Sequence, residues 1–173
     1  MTASMREVDP WRFTGSFIKK ALLEVIPEEP SHPPIPWASV GKPLSQCRVS
    51  LLTTAVISMK DDTPFDMEGE RKRPTWGDPT WRRIPLDATT ADIAVNHLHI
   101  DTSYIESDLN VALPLDRLRD AVTQGWIGSA ADHHILIMGY QGNSTRVLEN
   151  ETAPAIAQAM RDEEVDLAIL APV

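Results

Sequence analysis

The sequence predicts an α/β fold: a three-layer, open, mostly parallel sheet, preceded by an N-terminal helical and Pro-rich extension. Two observations carry this expectation. From residue 48 onward, short stretches rich in Val, Leu, Ile and Thr alternate with stretches of helical periodicity in the order β-α-β-α-β. The last stretch, residues 165–173, runs from a helix-like segment into Leu167-Ala168-Ile169-Leu170-Ala171, an unbroken apolar run without alternation. That is the pattern of a strand buried on both faces of a parallel sheet, and chemistry in such sheets sits just beyond the carboxyl ends of the strands.

At 173 residues the chain suits one principal domain. We expect residues 1–47 to form the extension and residues 48–173 the α/β domain. The formal charge of -9 argues against a phosphate-backbone binder, which needs a basic face, so no nucleic-acid partner is expected. The single cysteine, Cys47, cannot form an internal disulfide and fits a reducing cytoplasm; the triplet Asn143-Ser144-Thr145 therefore carries no weight as a glycosylation site. No apolar run approaches the ~20 residues of a membrane span, and the N-terminus lacks a signal-peptide core, so the expectation is a soluble protein with no membrane partner.

In chain order, Trp11, Phe17, Ile18, Leu22 and Val25 recur at roughly helical spacing with Lys19, Lys20 and Glu24 between them, which predicts a short amphipathic helix. The proline-dense residues 27–37 read as an extended connector, because proline fixes φ and restricts its predecessor. Residues 48–57 are the first core strand, with Cys47 a small buried residue at its start. Residues 59–81 form a long loop rich in charge, Gly and Pro; its Trp76-Gly77-Asp78-Pro79-Thr80-Trp81-Arg82-Arg83 run sets guanidinium forks beside aromatic rings, which suits a carboxylate ligand or solvated salt bridging. Residues 92–100 are the second strand. Leu115, Leu118 and Val122 mark a crossover helix closed by Gly125. The third strand, residues 135–138, runs into the loop Gly139-Tyr140-Gln141-Gly142, and Thr152 with Pro154 opens the helix bearing Ile156 and Met160. The alternation fits half of a flavodoxin-like or Rossmann-like sheet.

His97 and His99, placed on one strand face by their i, i+2 spacing, could ligate a metal with Asp101, or serve as hydrogen-bonded or substrate-site polar groups. No further ligand set accompanies them, and Asp132-His133-His134 is no stronger, so no metal is expected. Neither the dinucleotide fingerprint nor the P-loop occurs, and no cofactor is expected.

The chain also resembles a known family. The resemblance rests on Leu52-Thr53-Thr54-Ala55 followed by Met59-Lys60, on Arg82 with Ile84-Pro85, and on Asp101, Asp108 and Asn110 before Pro114-Leu115-Asp116. It continues through Gly125-Trp126-Ile127, Met138-Gly139, Glu151-Thr152-Ala153-Pro154 with Ile156-Ala157, and Val165-Asp166. From about Arg48 on, these resemble the N-terminal part of the selenoprotein B component of the glycine, sarcosine, betaine and D-proline reductases, with the D-proline reductase pattern nearest. The resemblance implies reductive cleavage of a C–N bond in a small amino acid or amine. It places a selenocysteine, and shortly after it a cysteine, directly beyond the terminal strand: the selenol or thiolate attacks the substrate carbon and the second chalcogen resolves the adduct. It further implies substrate contacts at Arg82, Asp101, Asp108, Asn110 and Gly139.

Neither member of that pair is present here, and Cys47 matches no family nucleophile, so no catalytic residue is assigned. Three expectations follow. Translation stopped at a selenocysteine codon after Val173; or the chain is a short homologue that binds a small molecule without redox chemistry; or it is a structural or regulatory subunit whose sheet edge pairs with another chain. A homo-oligomer or a complex with a partner reductase subunit is expected, with contact near residues 166–173.

Overall fold

The computed structural model describes residues 11–12, 14–25, 38–73, 75–142 and 145–173. The expected connector at 27–37 and the Asn143-Ser144 pair lie outside them. The chain divides between Ser39 and Val40 into two compact units. In the first, α1 (Ser16–Val25) is the amphipathic helix that the spacing predicts; Lys19 Nζ lies 5.8 Å from the centre of the Trp11 ring, and Phe17 and Ile18 are exposed.

The second unit is a mixed α/β structure around an open sheet. Its centre is β1 (Arg48–Thr53), whose Val49 and Leu51 are buried. Parallel to it on one side run β5 (Ser129–Ala130) and then β6 (His133–Ile137); on the other runs β7 (Leu167–Ala171), paired from Val49↔Leu167 to Thr53↔Ala171. Outermost beyond β6 lies β3 (Trp81–Pro85), antiparallel to it, with Trp81 opposite Ile137. The gap between β5 and β6 has a side-chain cause. There the Leu51 N–H donates to Nδ1 of His134 at 3.1 Å, and the Ser50 hydroxyl donates to the His133 carbonyl at 3.1 Å. The imidazole stands in for a ladder carbonyl, so the buried amide is satisfied without regular pairing.

The two sheet faces differ. Val49, Leu51 and Leu136 join Leu115 and Leu118 of α4 (Leu115–Thr123) in the main core. Leu52 and Ile137, next in the strand alternation and so on the opposite face, line an apolar trough of about 480 Å³ with Ile156 and Met160 of α5 (Ala153–Asp162). Helix α4 ends as its sequence predicts. Gly125 takes φ +71°, its N–H donates to the Val122 carbonyl, and Trp126 N–H reaches back to Ala121, a paired closure that satisfies the last carbonyls.

Several expectations are corrected. The first strand stops at Thr53, because the chain turns through Val56 at φ +54°; Ile57 belongs to β2 (Ile57–Met59), which pairs antiparallel with β4 (Ile93–Val95) in a separate two-stranded sheet. The second predicted strand is therefore three residues long and outside the main sheet. The 59–81 segment contains α2 (Met67–Lys72), capped by the Asp66 carboxylate, which accepts the Gly69 N–H at 2.8 Å. Its far end leads into β3, masked in the sequence by two arginines and a proline. Proline is tolerated at Pro85 because β3 is an edge strand. Thr152 does not cap α5; helical backbone begins earlier, with a π turn over Leu148–Thr152, and the Thr152 hydroxyl donates to the Pro79 carbonyl at 2.6 Å. Strand β7 is not buried on both faces. Its one strand neighbour among the described residues is β1, and Ile169 and Leu170 are 46% and 66% exposed.

Candidate functional site

The parallel strands β1, β6 and β7 end together, and a small cavity of about 160 Å³ opens there. Thr54 follows β1, Gly139 follows β6, and Val173 lies beyond β7. Thr54 fastens the end of β1 to the residue beyond β7: its Oγ1 accepts the Val173 N–H at 2.9 Å and donates to the Val173 carbonyl at 3.3 Å. Space at Gly139 is tight: a Cβ there would stand 3.1 Å from Thr54 Cβ, against a threonine already held by two bonds.

The chemistry comes from outside the sheet. Glu70, on α2, turns its carboxylate inward, and its side chain is only 5% exposed. Oε1 lies 2.8 Å from His99 Nε2, while Oε2 is buried with no hydrogen-bond partner among the described residues. His97 and His99 follow β4, so the loop rather than a strand face brings them together. The His99 N–H donates to His97 Nδ1 at 3.1 Å, and the rings meet edge to face at 6.2 Å. Burial pushes His97 below its ordinary pKa, which favours a neutral imidazole whose proton sits on Nε2 once Nδ1 accepts. Among the described residues no group of three or more His, Cys, Asp or Glu side chains is arranged to hold a metal ion, and no helix is long and apolar enough to cross a membrane.

Of the five residues expected to contact substrate, Gly139 lies in this cavity and the other four lie elsewhere. Arg82, on the opposite edge strand β3, donates to the carbonyls of Thr63 at 2.6 Å, Pro64 at 3.1 Å and Trp81 at 2.9 Å and to the Thr80 hydroxyl at 2.9 Å, with its guanidinium over the Phe65 ring. Four of its five N–H donors are spent on local structure, which leaves no fork for a carboxylate. Asp101 accepts the Ser103 N–H and hydroxyl at the start of α3 (Ser103–Ser107), and these bonds hold its carboxyl below the usual range. Asp108 accepts the backbone and side-chain N–H groups of Asn110, which lower its pKa in the same way, while Asn110 also donates to Asp116 at 2.7 Å. With Arg119, bonded to Asp116 and to the Leu86 carbonyl, they line a separate cavity of about 130 Å³.

Sequence reasoning picked out His97 and His99 but missed Glu70. That residue stands in the run Glu68-Gly69-Glu70-Arg71-Lys72-Arg73, which reads as a solvated charged face. Nothing local marks which carboxylate turns inward.

Residues 29–173 match the family model described as glycine/sarcosine/betaine reductase selenoprotein B. The chain is 34% identical over 141 residues to the D-proline reductase subunit gamma of Acetoanaerobium sticklandii, a match that covers 82% of this chain and 54% of the relative. The chain thus spans about half the length of that curated relative. No solved structure matches it. With the family model and the relative agreeing over most of its length, the chain belongs to the glycine/sarcosine/betaine reductase selenoprotein B family.

Proposed function

We propose that this chain supplies the substrate cavity of an amino-acid reductase and that a small amino acid or amine binds at the carboxyl ends of β1, β6 and β7. The observation that carries this reading is the small, partly open cavity with a buried carboxylate at that position, in a member of this family. Its size selects the ligand. A cavity of roughly 150 Å³ holds a benzene-sized molecule, so about 160 Å³ suits proline or sarcosine and is too small for a nucleotide. The reaction of the family is reductive C–N cleavage, and this chain has one cysteine, Cys47, fully buried before β1. In our reading the selenol and thiol come from sequence outside this chain, in a reducing cytoplasmic setting, and the chain completes a doubly wound sheet only in that company. Gly139 contacts substrate, whereas Arg82, Asp101, Asp108 and Asn110 act as anchors of the surrounding loops. Isothermal titration with D-proline and with sarcosine tests the cavity: saturable 1:1 binding at about millimolar Kd, some 4 kcal/mol, is expected. Absence of binding by either would overturn the reading.

A second observation favours association. Strand β7 carries no charge and no proline, its outer edge has no strand partner among the described residues, and the apolar trough lies beside it. Natural edge strands are normally protected, so we propose that this edge meets a second copy or a partner reductase subunit. Sedimentation velocity of the pure chain should show concentration-dependent self-association, abolished by Leu170→Lys; a monomer at all concentrations would count against self-pairing.

A further inference from the structure

We infer that Glu70 is the specificity anchor of the cavity, taking an N–H from a protonated primary or secondary amine and discriminating against quaternary ammonium compounds. This rests on the reading of the cavity as a substrate site. The argument starts from an incomplete hydrogen-bond account. A carboxylate withdrawn from water needs donors on both oxygens, and Glu70, 5% exposed, has one from His99 on Oε1 and none among the described residues on Oε2. No lysine or arginine is among the described residues that line the cavity, so its charge is not balanced by a fixed cation there. The missing partner is therefore a donor that also carries positive charge. An ammonium N–H supplies both.

Two alternatives are less well served by the same atoms. A metal ion would need three or more converging ligands, and among the described residues no such group of His, Cys, Asp or Glu side chains occurs, while His97 Nδ1 already accepts from the His99 backbone. A quaternary ammonium has no N–H to give Oε2 and is normally held by an aromatic cage; the one six-membered aromatic ring lining this cavity belongs to Tyr140, which is 48% exposed.

Sarcosine and betaine make a direct test, because both carry one carboxylate and one cationic nitrogen and differ in having N–H groups or none. A charge-assisted hydrogen bond gained or lost corresponds to roughly ten- to a hundredfold in affinity. Titrated calorimetrically into the full chain at neutral pH, sarcosine should bind at least about tenfold tighter than betaine. Glu70→Gln, which keeps the side-chain volume, should bring sarcosine down to the level of betaine. Equal binding of the two ligands by the unaltered chain, or a preference for sarcosine that survives Glu70→Gln, would overturn the assignment of Glu70 and leave the cavity reading standing. No heat from either ligand would overturn both. Displacement of sarcosine by one equivalent of zinc, with zinc binding lost in Glu70→Gln, would reassign the carboxylate to a cation site. Should Glu70→Gln not fold by circular dichroism, the sarcosine-to-betaine ratio of the unaltered chain decides alone.

Discussion

Lowering the pH from 7 to 4 is expected to cost the fold about 3 kcal/mol, and the group responsible is His134. Its imidazole is fully buried, and desolvation pushes its pKa down to about 4 from an ordinary 6.5. Its Nδ1 must stay unprotonated to accept the Leu51 N–H between β5 and β6, and Nε2 is buried without a partner among the described residues. Between pH 6.5 and 4 the unfolded chain therefore binds a proton that the folded chain refuses. The stability is fully present above about 6.5, falls as pH drops, and levels off below about 4. His97, also pushed down by burial, adds a contribution of the same sign. The carboxylates held low by hydrogen bonds begin to give up their share as pH falls to their ordinary values, Glu163, bonded to His133, near 4.5 and Asp92, Asp101, Asp108, Asp116 and Asp166 near 3.8, so the upper part of the window belongs to the histidines. Urea midpoints at pH 7, 5.5 and 4 measure this. His134→Gln should start from lower stability and lose most of the slope; an unchanged slope would assign the acid sensitivity elsewhere.

Gly77→Ala is expected to destabilise the chain by about 3 kcal/mol, because the atoms in its way are backbone. A Cβ on Gly77 would stand 2.3 Å from the Tyr140 carbonyl oxygen and 2.5 Å from Gln141 Cα. The opposing glycine is equally constrained: Gly142 takes φ +68°, and its Cβ would meet the Thr75 carbonyl oxygen at 2.1 Å. The two loops are joined at this distance by the Asp78 N–H, which donates to Met138 Sδ at 3.1 Å, and by Gln141 Nε2, which donates to the Asp78 carbonyl at 3.4 Å. The variant must move the segment that carries Gly139 and Tyr140 to the cavity, so sarcosine binding should weaken along with stability. Gly125→Ala makes the comparison, since φ there is +71° with no atom within 4 Å of the added carbon. Strain alone should cost about 1 kcal/mol. Similar losses in the two variants, read from denaturant midpoints, would show that the close approach at Gly77 relaxes freely.

What the sequence determined by itself was whatever depends on neighbours within a few residues. The apolar period and closing glycine of α4, the Val/Leu-rich start of β1 and the apolar run of β6 each follow from local sterics and burial, and the structure has them within a residue or two. The family was legible for a related reason: a motif order is read along the chain without reference to what its residues touch. Burial and pairing were not legible, because they are properties of the partner and not of the segment. Leu167-Ala168-Ile169-Leu170-Ala171 has the composition of a central strand but lies at the edge. Trp81-Arg82-Arg83-Ile84-Pro85 has the composition of a loop but pairs with β6, the Arg82 guanidinium bonded to carbonyls and those of Arg82 and Arg83 lying over aromatic rings. The site followed the same rule. Arg82, Asp101, Asp108 and Asn110, which stood out in sequence, bond to nearby loop groups, while Glu70, indistinct among its charged neighbours, is the carboxylate that the fold buries beside Gly139, with one oxygen unpaired among the described residues.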